Sequence, residues 1–330
     1  MEKKIDITEE DVDKLMKVFA ELNSTNVWSR VKRDDFTIRR FAMGYVNDIS
    51  CCVLTDQARL RLGATQNIDY PAIVVKFVPD VIFFSLNRIE TTAVNTTISE
   101  NGLSPRLLYI NENVALMSTF SQNYNQDDDL NVETVKKIAR VLGRFHSLKP
   151  PISIDGFHAW NKMSDNIGEL PISANVFKNE FIEAIVADDE LKDKYGWYNI
   201  RYIIINSLIL SIAIGSTFDD LDLKQVFAAN KIKMENVKSP FVFTHGDFNR
   251  GNRLVKKETR SDGTIETEIY LVDFDYSTYN YRGYDLGRYF SNYRHKEDMF
   301  GDEGFPTDDE MKLFLKNIDK NVLLYKVKVI

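Results

Sequence analysis

The chain has 330 residues, of which 44% are hydrophobic and 28% are charged, and its formal net charge is −7. This balance is usual for a water-soluble globular protein with one large domain or two ordinary ones. The negative charge and the lack of a block of Lys or Arg argue against nucleic acid as the main partner.

The cysteines and the apolar runs predict the compartment. Cys51 and Cys52 are adjacent and are the only cysteines, so the sequence has no disulfide framework, which favours a reducing environment. Residues 1–14 lack the apolar core of a signal peptide. The longest apolar run, 202–214, is interrupted by polar residues and is shorter than the roughly 20 residues that span a bilayer. We therefore expect a cytoplasmic protein without stable membrane insertion.

The first third of the chain alternates strand and helix signals. Thr8 followed by Asp11 resembles a capping box and predicts a helix that ends near Asn23. Further elements follow in this order: strands over 36–45, 50–55 and 72–78, a helix over 87–100, and strands over 107–110 and 114–119. Strands with one helix in this order match the nucleotide-binding lobe of a kinase.

A polar and acidic segment, 121–130, is the predicted linker between an N-terminal lobe (1–120) and a C-terminal lobe (131–330). Beyond it, apolar residues recur at helical spacing at these positions: Val132, Val135, Ile138, Ala139, Leu142 and Phe145. The remaining predicted elements are helices over 175–187, 199–214 and 308–324, and a hairpin tip at 261–263.

The residues from 241 to 293 carry the chemistry. An apolar run leads into His-Gly-Asp at Asp247, and Asn252 follows five residues later, which matches the Asp…Asn interval of the kinase catalytic loop. Alone, His-Gly-Asp is also a common turn. A second apolar run ends at Asp273. We expect Asp247 to orient the attacking hydroxyl, and Asn252 and Asp273 to hold Mg²⁺ on the nucleotide phosphates. Asp275 either binds a second ion or caps the following turn.

Four upstream residues are candidates for binding ATP. Lys76 lies in the middle of a predicted strand, where a lysine commonly points to solvent; in a kinase lobe it contacts the α- and β-phosphates and pairs with a Glu of the following helix. Glu90 is the matching partner. Gly44 and Asn47 lie in the turn between the first two strands, where backbone would cover the phosphates, although one glycine is a nonspecific signal.

These residues resemble the choline/ethanolamine kinase family. The segment VDFDYSTYNYRGYDLGRYF, 272–290, looks like the family signature that follows the metal-binding Asp. His245-Gly246-Asp247 with Gly251-Asn252 resembles its Brenner-type phosphotransferase loop. Looser similarity occurs upstream, at 28–36, 44–47, 87–90 and 102–105.

The resemblance implies an α+β, two-lobed protein-kinase-like fold, with an N-terminal antiparallel sheet lobe and a larger, mainly helical C-terminal lobe. It also implies phosphorylation of choline or ethanolamine by MgATP at the start of phospholipid synthesis, often by a homodimer. Asp247 would be the base, and Asn252 and Asp273 would bind Mg²⁺. Four residues would line the substrate site: Asp285, Tyr289, Asn292 and Tyr293.

The sequence departs from the family at the substrate end. Family members usually carry an acidic residue and an aromatic where this chain has Asn292 and Tyr293. They also continue beyond the position of Ile330 with aromatic residues, including Trp, that cage a quaternary ammonium by cation–π attraction. This chain has no Trp after Trp197, so tyrosines such as Tyr289 would form a partial cage.

Two alternatives remain open beside amino-alcohol phosphorylation. Kinases of other small alcohols, such as aminoglycoside kinases, use the same loop. A nucleotide-binding pseudokinase is the other alternative; the intact Asp247, Asn252 and Asp273 argue against it, whereas Asn292 favours it. A protein kinase is disfavoured, because the sequence lacks the Gly-rich triple and an Ala-Pro-Glu segment after the metal site.

Overall fold

The computed structural model describes residues 7–40, 48–63, 70–77, 88–111, 113–119, 122–123, 126–154, 240–294 and 306–318. The candidate residues Gly44 and Asn47 lie outside these ranges, as do the helices predicted over 175–187 and 199–214. Within the described ranges, none of the helices combines the length and the apolar character needed to cross a membrane.

The N-terminal part is built on an antiparallel sheet of five strands. They are β1 (Phe36–Arg40), β2 (Asp48–Leu54), β3 (Ala72–Phe77), β4 (Leu107–Ile110) and β5 (Val114–Ser118), paired in the order β1-β2-β3-β5-β4. Residues alternate between the two faces of a strand, and Ile73 and Val75 of β3 are fully buried. Lys76 therefore projects from the other face of this central strand.

Three helices accompany this sheet: α1 (Glu9–Ala20), α2 (Asp56–Leu62) and α3 (Arg88–Glu100). The predicted capping box of Thr8 and Asp11 is confirmed. The sequence analysis missed α2, because a helix of seven residues gives little periodicity; it starts at an N-cap, Thr55, and ends at a left-handed glycine, Gly63. Phe19, Trp28 and Phe36 pack ring against ring beneath the sheet.

The C-terminal part contains four described helices, α4 (Gln126–Leu130), α5 (Val132–His146), α6 (Gly283–Ser291) and α7 (Asp308–Asn317). Its strands are β6 (Gln122–Asn123), β7 (Phe241–Thr244), β8 (Arg253–Thr259), β9 (Ile265–Leu271) and β10 (Thr278–Tyr281). They form two antiparallel sheets, β10-β7 and β6-β8-β9. The hairpin predicted at 261–263 is confirmed between β8 and β9, where Gly263 adopts a φ of 82°.

One hydrophobic core joins these C-terminal elements. It includes Ile138, Leu142 and Phe145 of α5, which confirms the predicted helical spacing, together with residues of β7, β8, β9, α6 and α7. Val94 and Ile98 of α3 also belong to this core. The helix that follows β3 in the described chain therefore packs onto the C-terminal lobe, which places Glu90 at the junction of the two lobes.

The acidic segment predicted as a linker contains buried, paired carboxylates. The side chain of Asp129 on α4 is fully buried and accepts hydrogen bonds from Arg250 at 3.1 and 2.7 Å. Arg253, of which 1% is exposed, lies 3.6 Å from the same carboxylate. Asp128 pairs at 3.0 Å with Lys257, which is partly exposed. The segment therefore fixes the loop and strand that follow β7; the lobe boundary itself stays a prediction.

We predict that Asp129→Asn is more destabilising than Asp128→Asn. Removing the charge of Asp129 leaves the buried guanidinium of Arg253 without its counter-ion, which costs about 3 kcal/mol. The partner of Asp128 keeps access to water, so that loss is about 1 kcal/mol or less. Urea unfolding of the two variants measures the difference, and equal losses would contradict the assignment.

Candidate active site

The first functional loop leaves β7 through a glycine that no other residue replaces. Gly246 has a φ of 81°, in the left-handed region that favours glycine. A Cβ atom at this position would also overlap the carbonyl oxygen of Tyr276. The His-Gly-Asp turn is thus fixed by backbone geometry and by close packing against the segment between β9 and β10.

A buried carboxylate on α6 holds the same turn. Asp285 is fully buried and accepts the backbone N–H groups of His245 at 2.8 Å and Gly246 at 3.0 Å. Its Oδ2 atom also lies 2.9 Å from Nε2 of His146 on α5. All these contacts are with protein groups in the interior, so the prediction that Asp285 contacts substrate is at odds with the structure. Asp285 positions the loop that carries Asp247.

Asp247 emerges from this turn with a fully hydrogen-bonded carboxylate. Its Oδ1 accepts Nε and Nη2 of Arg288 at 3.1 and 2.9 Å. Its Oδ2 accepts Nδ2 of Asn249 at 2.8 Å and Nδ2 of Asn252 at 2.9 Å. These contacts orient the carboxylate, whose side chain remains 24% exposed.

Asn252 connects Asp247 to the second functional loop. Its Nδ2 donates both to the backbone carbonyl of Asp247 and to Oδ2 of that residue, each at 2.9 Å. Its own carbonyl accepts the N–H of Val272 at 3.0 Å, directly before Asp273. The structure thus brings together the three residues that the sequence places at the centre of the chemistry.

Lys76 reaches the second loop from the N-terminal sheet. Its Nζ donates to Oδ1 of Asp273 at 2.9 Å and to both carboxylate oxygens of Asp275 at 3.0 Å. Burial disfavours the charged form of Lys76, but the two carboxylates outweigh burial and raise its pKa. Burial likewise opposes ionisation of Asp273, and Lys76 outweighs it, so the pKa of Asp273 is lowered. Asp273 itself adopts a left-handed φ of 65°.

Glu90 does not form the ion pair predicted for it, although both members of that pair are described. The ammonium of Lys76 lies on Asp273 and Asp275, and one carboxylate oxygen of Glu90 is 3.4 Å from the N–H of Ser153. Both residues still lie near the junction of the lobes. The sequence prediction failed because three carboxylates can reach this region and spacing alone does not choose among them.

Three residues assigned to substrate by resemblance serve other ends. Tyr289 is buried, and its ring stacks on Phe314 with centroids 4.2 Å apart. Tyr293 is also buried, and its hydroxyl approaches the carbonyl of Asp129 at 3.5 Å. Asn292 uses Nδ2 to bond the carbonyl of Arg288 at 2.8 Å, which caps the end of α6. Their side chains belong to the core and to a helix cap, which corrects the predicted substrate contacts.

Sequence reasoning did not identify two residues that touch Asp247. Asn249 had a usable signal, because an Asn two residues after an Asp commonly bonds within a turn. Arg288 had none, because it reaches Asp247 from a helix that lies 41 positions later in the sequence. Tyr284 is one helical turn before Arg288 and is 40% exposed, so an aromatic ring also lies near this end of the site.

A solved structure with the same fold is that of Plasmodium vivax ethanolamine kinase. It superposes with a TM-score of 0.56 at 12% sequence identity, covering 95% of this chain and 75% of that one. At this identity the likeness shows the fold alone, and it confirms the predicted protein-kinase-like class with an antiparallel N-terminal sheet lobe.

Two sequence relatives and a family model complete the comparison. The chain is 33% identical over 298 residues to a probable ethanolamine kinase of Arabidopsis thaliana, covering 88% of this chain and 64% of the relative. It is 36% identical over 91 residues to a choline/ethanolamine kinase of Rattus norvegicus, covering 26% and 22%. It thus spans about a fifth to two thirds of these relatives. The model described as choline/ethanolamine kinase matches residues 82–321. The chain belongs to the choline/ethanolamine kinase family.

Proposed function

We propose that this protein transfers the γ-phosphoryl group of ATP to the hydroxyl of choline or ethanolamine. The observation that carries the proposal is the hydrogen-bonded unit of Asp247, Asn252 and the start of the Asp273 loop, approached by Lys76 from the other lobe. A kinase active site needs a base and nucleotide-binding groups on opposite sides of the transferred phosphate. Membership of the family supports the same reaction.

In the proposed reaction the hydroxyl oxygen of the acceptor attacks the γ-phosphorus. An oxygen–phosphorus bond forms, the bond from that phosphorus to the bridging oxygen breaks, and ADP leaves with the electron pair. The hydroxyl proton passes to Asp247, which orients the attacking oxygen. Asn249 and Asn252 hold the Oδ2 side of the carboxylate, so its plane is fixed relative to the phosphate.

The residues present fit Mg²⁺. Both side-chain hydrogen bonds of Asn252 are made by Nδ2, so its Oδ1 remains as an oxygen ligand, and Asp273 and Asp275 supply carboxylates. Few protein oxygens suffice, because Mg²⁺ retains several waters. Bound Mg²⁺ would neutralise charge on the phosphates. Lys76 contacts the same two carboxylates and is the side chain we assign to the α- and β-phosphates.

The acceptor end of the site offers exposed aromatic rings. Tyr284 on α6 and Tyr276 between β9 and β10 keep 40% and 50% of their surface exposed. Their faces suit an ammonium group through cation–π attraction, a role that the buried Tyr289 and Tyr293 do not share. Choline and ethanolamine are both proposed acceptors. Homodimer formation, a cytoplasmic location and a role in phospholipid synthesis remain predictions.

We predict that Asp247→Ala lowers turnover by about a hundredfold to ten-thousandfold, the usual contribution of a general base. Binding of MgATP should remain, because Asp247 is assigned to the acceptor. An ATP-consumption assay with choline, ethanolamine and their methylated intermediates measures turnover, and calorimetry measures nucleotide binding. The control is Asp262→Ala, which removes a carboxylate from the exposed hairpin tip.

Two outcomes would count against the assignments in different ways. Wild-type protein that binds MgATP but turns over none of these alcohols would favour a pseudokinase or a kinase of another alcohol. Loss of nucleotide binding in folded Asp247→Ala protein would contradict the role of Asp247 as base.

We predict that Lys76→Met raises the KM for ATP by about tenfold or more, because a hydrogen bond to a charged phosphate is worth about 1.5–3 kcal/mol. The KM for the acceptor should change little. Lys256→Met is the matched control, because this strand lysine pairs with Glu258 on the surface. Steady-state kinetics at varied ATP give the values, and thermal unfolding reports any effect of leaving Asp273 and Asp275 without the lysine. An equal rise with the control would refute the assignment.

A further inference from the structure

We propose that Arg288 is a latch that occupies the place of the acceptor hydroxyl on Asp247 and must leave before phosphoryl transfer. The inference rests on the proposed function. An ionised carboxylate offers about four lone-pair sites for hydrogen bonds. Four donors already fill them: Nε and Nη2 of Arg288 on Oδ1, and the amides of Asn249 and Asn252 on Oδ2. The hydroxyl must therefore displace a donor.

Arg288 is the donor that can leave. Asn252 is 9% exposed, and its Nδ2 also bonds the backbone carbonyl of Asp247. Asn249 uses its Oδ1 to accept the N–H of Asn252, so its side chain is part of the turn. Arg288 belongs to another element, and its side chain is 42% exposed. Moving its guanidinium into water costs one partly exposed ion pair and leaves the loop intact.

The helix that carries Arg288 stays in place while the side chain moves. Asp285 and Tyr289 of α6 are both buried, so the backbone around Arg288 is anchored on two sides. Tyr284, one turn earlier, is exposed on the same face. The released guanidinium therefore remains at the entrance beside Tyr284, and it returns to Asp247 when the acceptor leaves.

The size of the effect follows from the exposure of the pair. Partly exposed ion pairs are weak, so the latch lowers acceptor affinity only about two- to fivefold. It acts on any alcohol that approaches Asp247, whatever its charge. That property separates displacement from simple repulsion of a cationic acceptor.

Binding and kinetics of Arg288→Met test the latch. The ligands are choline and its uncharged carbon analogue 3,3-dimethylbutan-1-ol. We expect both dissociation constants to fall about two- to fivefold, and kcat with choline to stay within about twofold. The control is Arg294→Met, which removes an arginine paired with Glu310 rather than with Asp247. Tightening of choline alone would show repulsion instead, and a lower kcat with unchanged affinity would show that Arg288 positions Asp247; either result overturns the latch.

A second measurement needs no acceptor. Phenylglyoxal labelling followed by peptide mass spectrometry compares Arg288 with Arg294 in the wild type and in Asp247→Ala. The variant should raise labelling of Arg288 severalfold and leave Arg294 unchanged. Unchanged labelling of Arg288 overturns the latch even if the protein phosphorylates choline. Raised labelling in a protein that turns over no amino alcohol supports the ion pair and refutes only the proposed function.

Discussion

The buried carboxylate of Asp285 is the contact on which the site depends. Moving a carboxylate out of water is costly unless donors replace the solvent, and here two backbone N–H groups and His146 surround it. One residue of α6 thereby fixes α5 and the turn that follows β7. Because that turn is held directly before Asp247, the position of Asp285 sets the position of the proposed base.

From Asp247 the constraint passes to the second loop and then to the other lobe. Asn252 bonds Asp247 through its side chain and Val272 through its backbone, so the two loops form one unit. Lys76 closes the arrangement from the central strand of the N-terminal sheet. Loops held in this way keep their relative geometry without secondary structure of their own, which suits a reaction governed by positioning.

Local signals predicted the parts of the structure that depend on near neighbours. The Thr8 cap, the periodicity of α5 and the hairpin at Gly263 each involve a few consecutive residues, and all three are confirmed. The interval between Asp247 and Asn252 likewise predicted a contact that the structure contains.

Spacing failed where long-range packing decides. Tyr289 and Tyr293 have the residue type of an ammonium cage, yet the packing of α7 against α6 buries the ring of Tyr289 on Phe314. Asp285 stands within the signature but faces inward. Lys76 chose among several carboxylates brought close by the fold, and no local pattern records that choice.

The carboxylates of the site all have partners among the described residues, and this constrains how ligands bind. Asp247 is neutralised by Arg288, and Asp273 and Asp275 share Lys76. Without these cations, the like charges of Asp273 and Asp275 would repel each other and raise their pKa values. An acceptor or a nucleotide therefore exchanges one partner for another instead of meeting an open charge. Each exchange has a small net free energy because a contact is lost for each one gained, so affinity at both ends of the site depends on how firmly Arg288 and Lys76 are held.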